Sequence, residues 1–362
     1  MSTNHDMIFT FLAQGVDTLE VCYYLDTRNP AFSFEKLAAV RDGMDRQKYK
    51  DGKKITLGGK DFLLKAGGTS SGFPFMMRDN DFIIQFGEFN NPSFSVKFLS
   101  NALWHKGYRA MHEDFLVWAA GVGLYMRKTE TISRVDLCLD YELINKAFGE
   151  ENFVSSFHRD CKFRSFGEDE TYKFGVGTCV RIYNKSNEIK AKSGKTWFYP
   201  IWGGLTDNVW RIEWQLNNDY LKQRGIRTLA DFEKSIGFVI GLLCEYHTSL
   251  RTITSDTNRA RWPMHPLWLD VRERFSTLGM QPIKAASKLR DHYPERVQSI
   301  VISMMGNIKA IAALTSVYDD TPPQGFQETL TNINGQLRRI YDPLSWQQDV
   351  QKKMDKLRLA DV

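Results

Sequence analysis

The sequence predicts an α+β fold, in which a curved antiparallel β-sheet covered by helices is followed by a helical C-terminal region. Two observations support this prediction. Short segments with a hydrophobic period of two, separated by turns rich in Gly, Asn and Pro, recur through the first 250 residues, as neighbouring antiparallel strands do. Beyond residue 266 the pattern is helical instead. The predicted division is therefore residues 1–250, the sheet domain, and residues 251–362, the mainly helical region.

Individual elements follow from local periodicity and from turn residues. Strands are predicted at 16–23, 62–64, 73–77, 82–86, 94–99, 132–141 and 208–216, and in the stretch that begins at Thr178. Helices are predicted at 34–50, 111–126, 146–158 and 228–248, the last beginning with a capping sequence at Thr228. The polar stretch 249–266 contains two proline breakers and is predicted to connect the two regions.

The composition is that of a globular protein, with 42% hydrophobic and 25% charged residues. A net charge of +5 is compatible with a polyanionic partner. The five cysteines form no CxxC pair, which argues against a disulfide scaffold or a structural zinc site and favours a reducing compartment. The N-terminus has no signal-peptide pattern, and the longest apolar run, 236–244, is about half a membrane span. We expect a cytoplasmic protein, or one of the host cytoplasm if a phage encodes it, without a membrane partner.

One predicted strand places a tyrosine between two cations. With a period of two, Val180 and Ile182 would face a core, while Arg181, Tyr183 and Lys185 would share the opposite face. Two cations beside a phenol could neutralise a phosphodiester and favour the phenolate, whose ordinary pKa is about 10. This pattern indicates a site of attack on phosphate. The alternative is an amphipathic strand with ordinary solvated charges.

Two other predicted strands also have one apolar and one polar face. The polar positions are Arg134, Asp136, Cys138 and Asp140 in one strand, and Arg211, Glu213 and Gln215 in the other. If these strands lie in one sheet with the tyrosine, their carboxylates suit Mg²⁺ or Mn²⁺, which would polarise a scissile phosphate. Asp136 and Asp140 would be about 13 Å apart in an extended strand, so we favour Asp136 with Glu213 and keep Asp140 as a neighbour. The alternative for either strand alone is surface carboxylates balanced by Arg134 and Arg211.

Together these segments resemble a known family. The order SRVDLCLDY, TYKFGVGTCVRIYNKSNE and VWRIEWQLN is similar to that of the replication initiation factor (Rep_trans) family. This family includes rolling-circle plasmid initiators of Gram-positive bacteria, filamentous-phage replication proteins of the RstA type and MOBT conjugative relaxases. The resemblance covers about residues 94–220, although the segment between Gly175 and Arg181 is shorter than in the plasmid sequences. The seven histidines include no HxH pair, which excludes the nickases that bind their metal through paired histidines.

The resemblance implies a rolling-circle replication initiator, a metal-dependent DNA nickase and strand transferase with a tyrosine nucleophile. It makes Tyr183 the nucleophile, which would cut one strand at the replication origin, retain the 5′-phosphate as a phosphotyrosine ester and free a 3′-OH. Arg181 and Lys185 would clamp the phosphate, and Glu188 would support Lys185 or the metal. Tyr172 lies where the family tends to have an aromatic residue and is a secondary candidate.

The DNA itself must also be held. The predicted DNA contacts are the basic residues Arg134, Arg211, Lys48, Lys53, Lys54 and Lys190, while Trp197, Phe198 and Tyr199 could stack an unpaired base. The expected partner is origin DNA, single-stranded or cruciform at the nick site, with a host helicase and a second copy of the chain as further candidates. Two alternatives stay open: a conjugative relaxase with the same chemistry, and a DNA-binding regulator that does not cleave.

Overall fold

A computed structural model of the chain describes residues 8–29, 32–45, 52–156, 160–165, 168–278 and 293–359. The strands are β1 Ile8–Leu25, β2 Lys53–Leu57, β3 Lys60–Leu64, β4 Phe75–Arg78, β5 Phe82–Phe86, β6 Phe94–Phe98, β7 Met126–Ile144, β8 Phe153–Ser155, β9 Asp160–Ser165, β10 Glu168–Phe174, β11 Cys179–Asn184, β12 Val209–Asn217 and β13 Thr248–Leu250.

Helices separate and follow these strands. They are α1 Phe34–Asp42, α2 Ser100–Lys106, α3 Tyr108–Gly121, α4 Lys185–Glu188, α5 Phe198–Ile201, α6 Asn218–Gln223, α7 Leu229–Leu242, α8 Pro266–Ser276, α9 Tyr293–Tyr318, α10 Phe326–Ile340 and α11 Pro343–Leu359. The α+β fold with a helical C-terminal region is therefore confirmed. No helix in the described part of the chain is both long enough and apolar enough to cross a bilayer.

Eleven strands form one antiparallel sheet in the order β2-β3-β4-β5-β6-β1-β7-β12-β11-β10-β9. The long strands β1 and β7 occupy the middle and pair over most of their length, with several register shifts along the way. A second, two-stranded sheet joins β13 to β8. This order places β7, β12 and β11, the three strands that carry the candidate chemistry, side by side.

Helices cover one face of the large sheet. Phe115 of α3 packs on Tyr23 of β1 with ring centroids 4.4 Å apart, and Trp118 packs on Phe62 of β3 at 5.3 Å. The apolar side chains of α7 and α8 enter the same buried core, which includes Val239 and Trp268. These contacts bury the apolar sheet face, while a smaller apolar cluster that includes Phe198 of α5 and Trp104 of α2 covers part of the polar face.

The chain divides into two compact units, residues 1–285 and residues 286–362. The boundary falls later than the predicted position 250. The reason is that β13 pairs with β8, and that α8 buries Trp268 and Phe275 in the core of the first unit. The stretch 249–266 is thus part of the sheet domain rather than a connection. The second unit consists of α9, α10 and α11 in its described part.

The predicted helix at 146–158 is wrong over its described residues. That stretch contains a short 3₁₀ turn, Glu150–Asn152, followed by β8. Phe153 packs against Phe148, Phe174 and Trp268, and the pairing of β8 with β13 fixes an extended backbone there. Tertiary contacts therefore decide the conformation of this segment against its local pattern.

Candidate active site

The register of three neighbouring strands brings the predicted site together. Tyr183 on β11 lies opposite Arg211 on β12, which lies opposite Asp140 on β7. Two residues further along β12, Glu213 lies opposite Arg181 of β11. Two residues beyond that, Gln215 of β12 lies opposite Asp136 of β7. Because directly paired residues share a sheet face, the phenol, the acids and the cations lie on one polar surface.

Tyr183 forms a hydrogen bond with a buried carboxylate. Its hydroxyl donates to Glu213 Oε2 at 2.8 Å, while the guanidinium of Arg181 forms an ion pair with Oε1 of the same side chain. Glu213 is 2% exposed, whereas Tyr183 is half-buried. The tyrosine oxygen therefore lies next to a proton acceptor.

The neighbouring acid is paired as well. Arg134 Nε and Nη2 donate to the two carboxylate oxygens of Asp136 at 2.9 and 2.7 Å, and Nη2 also donates to Gln215 at 3.1 Å. Arg181 Nη2 lies 3.6 Å from Asp136 Oδ2. Asp136 is 1% exposed, and the Arg134 side chain is 30% exposed. Asp136 and Glu213 therefore converge on one guanidinium.

Burial, more than charge, sets the ionisation of the tyrosine. Loss of hydration raises the pKa of Tyr183 well above its usual value, and the adjacent Glu213 raises it further, while Arg211 and Arg181 lower it less. The expectation that the cations favour the phenolate is therefore not met in this arrangement. Burial likewise raises the pKa of Glu213, against the lowering effect of Arg181. The phenol remains protonated and needs a base to lose its proton.

Lys185 lies beside the tyrosine ring at the start of α4. Its side chain is 3% exposed, its Nζ donates to Glu188 Oε2 at 2.6 Å, and it lies 5.7 Å from the centroid of the Tyr183 ring. Burial lowers the pKa of Lys185, and nearby Arg211 lowers it further. Glu188 thus supports Lys185, one of its two predicted roles.

The structure corrects the roles predicted for two residues of the site. Arg211 is fully buried, and its Nε and Nη2 donate to Asp140 at 2.7 and 2.8 Å. Trp202 Nε1 also donates to Asp140, at 2.9 Å. Arg211 therefore cannot be a DNA contact, and both oxygens of Asp140 are already engaged. This pair holds β12 to β7 beneath the polar surface.

Asp17 is a site residue that sequence reasoning missed. It accepts hydrogen bonds from Arg211 Nη1 at 2.8 Å, Ser100 Oγ at 2.9 Å and Trp104 Nε1 at 3.2 Å. Burial alone would raise the pKa of Asp17, but the cations, led by Arg211, hold it far below its usual value. Arg211 is thus clamped between two acids from different strands.

The secondary nucleophile candidate lies on the wrong side of the sheet. Tyr172 is opposite Ile182, its ring is 1% exposed, and its hydroxyl accepts a hydrogen bond from Lys146 Nζ at 2.9 Å. It packs on Phe153 in the core. Tyr172 cannot act together with Tyr183 on one phosphate.

The predicted DNA-contacting residues are dispersed. Lys53 and Lys54 lie on β2 at the sheet edge, and Lys54 pairs with Asp61 while its side chain is 69% exposed. Lys190 is also partly exposed and pairs with Asp207. Lys48 lies outside the described residues. Among the aromatic residues, Phe198 is fully buried and unavailable for stacking, whereas Trp197 and Tyr199 are half-buried.

The predicted metal ligands fit a divalent cation in part. No group of three or more His, Cys, Asp or Glu side chains with metal-binding geometry occurs among the described residues. Asp136 and Glu213 nevertheless both lie beside the Arg181 guanidinium, whose positive charge occupies the position of a metal ion between them. A Mg²⁺ site commonly uses one or two carboxylates, with substrate phosphate and water completing the shell. Each Asp136 oxygen accepts from Arg134 and keeps a further lone pair, so the pair fits such a site, whereas Asp140 is turned to Arg211 and Trp202 instead.

Comparisons with known proteins give a limited picture. No protein family model matches the chain, and no curated protein sequence matches it. A solved structure, that of a rolling circle replication initiator protein from Geobacillus stearothermophilus, is similar over 75% of this chain and 99% of its own, with 16% identity and a TM-score of 0.42. We therefore infer function from the geometry of the site.

Proposed function

We propose that the chain is a rolling-circle DNA replication initiator, a DNA nickase and strand transferase that uses Tyr183 as its nucleophile. The observation that carries this proposal is the hydrogen bond of 2.8 Å from Tyr183 Oη to buried Glu213, flanked by Arg181 and Lys185. A tyrosine whose proton has an acceptor, and whose surroundings contain two cations, suits attack on a phosphodiester. The ordered motifs RVDL, RIYNK and WRIE support the same assignment.

The chemistry follows from this contact. Tyr183 Oη attacks the scissile phosphorus as its proton passes to Glu213, and the P–O3′ bond breaks. The 3′-oxygen leaves, takes a proton from solvent and becomes a free 3′-OH. The 5′-phosphate stays on the enzyme as a phosphotyrosine ester, so a later 3′-OH can attack it and reseal DNA without ATP.

The remaining side chains orient the phosphate. Arg181 is one-third exposed and can contact a phosphate oxygen through a forked guanidinium. Lys185 adds a nearby positive charge, although a phosphate must compete with Glu188 for it. A Mg²⁺ or Mn²⁺ ion held by Asp136 and Glu213 would, when bound, polarise the phosphate as a Lewis acid.

The experiment is a nicking assay on supercoiled plasmid that carries the DNA flanking the chain's own coding sequence, with and without Mn²⁺. We expect the wild-type chain to nick one strand and to leave a covalent adduct on Tyr183, identified by mass spectrometry. Tyr183→Phe should retain DNA binding and lose nicking by at least about 10³-fold, because no other nucleophile occupies that position.

Tyr172→Phe is the matched control. It removes one hydroxyl from a tyrosine of the neighbouring strand, on the opposite sheet face, so nicking should persist. Nicking by Tyr183→Phe, or an adduct on another residue, would contradict the proposal. Specific origin binding without any nicking by the wild-type chain would instead favour the non-cleaving regulator.

A further inference from the structure

The guanidinium of Arg181 occupies the space between two buried acids. Its Nη2 forms an ion pair with Glu213 Oε1 and lies 3.6 Å from Asp136 Oδ2. The two carboxylates come from different strands and are 2% and 1% exposed. A positive group at this position lowers the repulsion between acids that are held in a poorly hydrated site.

This cation is held loosely compared with its neighbour. Arg181 is 33% exposed, contacts the acids through one terminal nitrogen, and its buried Nε has no hydrogen-bond partner among the described residues. Arg211 is fully buried and uses three nitrogens to contact Asp140 and Asp17. Displacement of the Arg181 side chain therefore breaks fewer contacts than displacement of Arg211 would.

We propose that Arg181 and a divalent cation compete for Asp136 and Glu213, and that a DNA phosphate ends this competition by drawing the guanidinium to itself. The inference rests on the proposed function, because it concerns the same site. A phosphate offers Arg181 a forked, charge-assisted contact in place of the acids. The divalent cation then takes the place of Arg181 beside Glu213 and Asp136, the latter still paired with Arg134, with phosphate oxygen and water as its other ligands.

Competition of this kind couples the binding of DNA to the binding of the divalent cation, so that each ligand strengthens the binding of the other. Without DNA, Arg181 suppresses the affinity for the divalent cation. With DNA, the suppression is removed, and by linkage the divalent cation raises the affinity for DNA by the same factor. The acids thereby remain neutralised in both states, and the site is assembled for cleavage only when DNA is bound.

The test measures Mn²⁺ binding to the full chain by electron paramagnetic resonance of free Mn²⁺, without DNA. We expect Arg181→Gln to bind Mn²⁺ at least tenfold more tightly than the wild type, because the competing charge is gone. Arg181→Ala is the second variant, and it should give the same gain. Gln keeps a donor for Glu213, so Arg181→Gln keeps the test available if Arg181→Ala folds poorly.

Arg261→Ala is the matched control. It removes an exposed arginine whose ion-pair partner is the surface residue Asp256, so its effect on Mn²⁺ affinity should stay below about threefold, the size of a screened charge effect. Asp136→Asn combined with Arg181→Gln should abolish the gain. An unchanged affinity in both Arg181 variants, an equal gain in Arg261→Ala, or a gain that survives Asp136→Asn would each overturn the inference.

A second arm adds a thymidine oligonucleotide, with the Mn²⁺ bound by the oligonucleotide alone subtracted. Oligonucleotide should raise the Mn²⁺ affinity of the wild type by a larger factor than that of Arg181→Gln, in which phosphate adds a ligand but displaces no guanidinium, and an equal rise in both would overturn the inference. These results are independent of nicking. A wild-type chain that nicks DNA while its Arg181 variants bind Mn²⁺ no more tightly would refute the competition and leave the proposed function intact.

Discussion

At the residue scale, the polar surface consists of acids that each have a cationic partner. Asp136 is paired with Arg134, Asp140 with Arg211, and Glu188 with Lys185. Buried charges of this kind are tolerated only when they are paired and hydrogen-bonded. The arrangement leaves Tyr183 as a neutral hydrogen-bond donor among charges, which is suited to a nucleophile that ionises only during attack.

Asp17 provides a stability prediction. Its folded pKa is lowered, so its contribution is present above the unfolded pKa of 3.8 and is lost as the pH falls through the folded value. Asp17→Asn should therefore lower the free energy of unfolding at pH 7 by about 1–3 kcal/mol, the range for a hydrogen bond to a charged group. Between pH 7 and pH 3 the difference from wild type should shrink by about 1 kcal/mol. Urea denaturation at both pH values measures it.

Asp256→Asn is the control for this prediction. Asp256 also pairs with an arginine, Arg261, but at the surface, where solvent screens the contact. It should change the free energy of unfolding little at either pH. A loss with Asp17→Asn that is the same at pH 3 and pH 7 would show that packing, not ionisation, explains the effect.

The period of two predicted most of the site and missed one acid. Alternation correctly placed Trp210 and Ile212 on the apolar face and Arg211 and Glu213 on the other. The same rule, applied backward from buried Leu19, assigns Asp17 to the apolar face. A bulge between Val16 and Thr18 returns Asp17 to the polar side, and no residue pattern in the sequence marks that bulge.

The burial of Arg211 could not be predicted from the sequence either. Arg134 and Arg211 occupy equivalent positions in similar strands, yet the first is 30% exposed and the second is fully buried. The difference comes from Phe198 and Trp104, whose rings lie 4.5 and 5.4 Å from the Arg211 guanidinium. Trp104 lies in α2 and Phe198 in α5, both outside β12 in the sequence. Only the fold shows that their rings cover the Arg211 guanidinium.

At the element scale, the boundary of the sheet domain depends on α8. Trp268 and Phe275 of this helix are fully buried, and Trp268 Nε1 donates to the carbonyl of Cys244 at 2.9 Å. β13 also completes the small sheet with β8, and Arg251 just after it forms an isolated bridge with Met264. The sequence predicted a connection here because prolines and polar residues interrupt the helical pattern, although one of these prolines begins α8.

This packing predicts how truncated chains behave. A chain of residues 1–285 should unfold cooperatively, whereas residues 1–250 should lose cooperative unfolding, because the shorter chain lacks core side chains of α8 such as Trp268, each worth about 3–5 kcal/mol when deleted. Thermal unfolding followed by near-ultraviolet circular dichroism compares them. Equal stability of the two chains would place the boundary at 250 after all.

At the scale of the whole sheet, the polar face continues from the active site to the far edge. A row of directly paired residues crosses seven strands: Lys54, Leu63, Arg78, Ile83, Lys97, Glu20 and Arg134. Four of these seven are cations on one face. Eight strand spacings of about 4.8 Å separate β2 from β11, so the edge lies about 38 Å along the sheet from Tyr183.

This row predicts a length-dependent loss of DNA binding. A double variant, Lys54→Ala with Arg78→Ala, should weaken binding to DNA whose duplex extends about 11 base pairs beyond the nick site, at about 3.4 Å each, and should leave shorter DNA unaffected. The slope of log affinity against log salt concentration should fall by about 2, one for each lost phosphate contact. Fluorescence anisotropy over a salt series measures both.

The control removes two exposed arginines from helices that cover the opposite face. Arg109 of α3 and Arg272 of α8 pair with Glu233 and Glu245 at the surface. Their double alanine variant has the same change of net charge, so it should leave the slope unchanged. An equal loss in both double variants would mean that net charge, rather than the row, attracts DNA.

The extra residue in β1 has a consequence for how such a site changes over generations. Because Asp17 is the surplus position of a bulge, a three-nucleotide deletion could remove it while Val16 and Thr18 keep their partners Leu137 and Asp136. The strand pairing on either side would keep its register, whereas a deletion elsewhere in a strand shifts the register by one residue. The acid that clamps Arg211 can thus be lost or regained in one mutational event, without rebuilding the sheet around it.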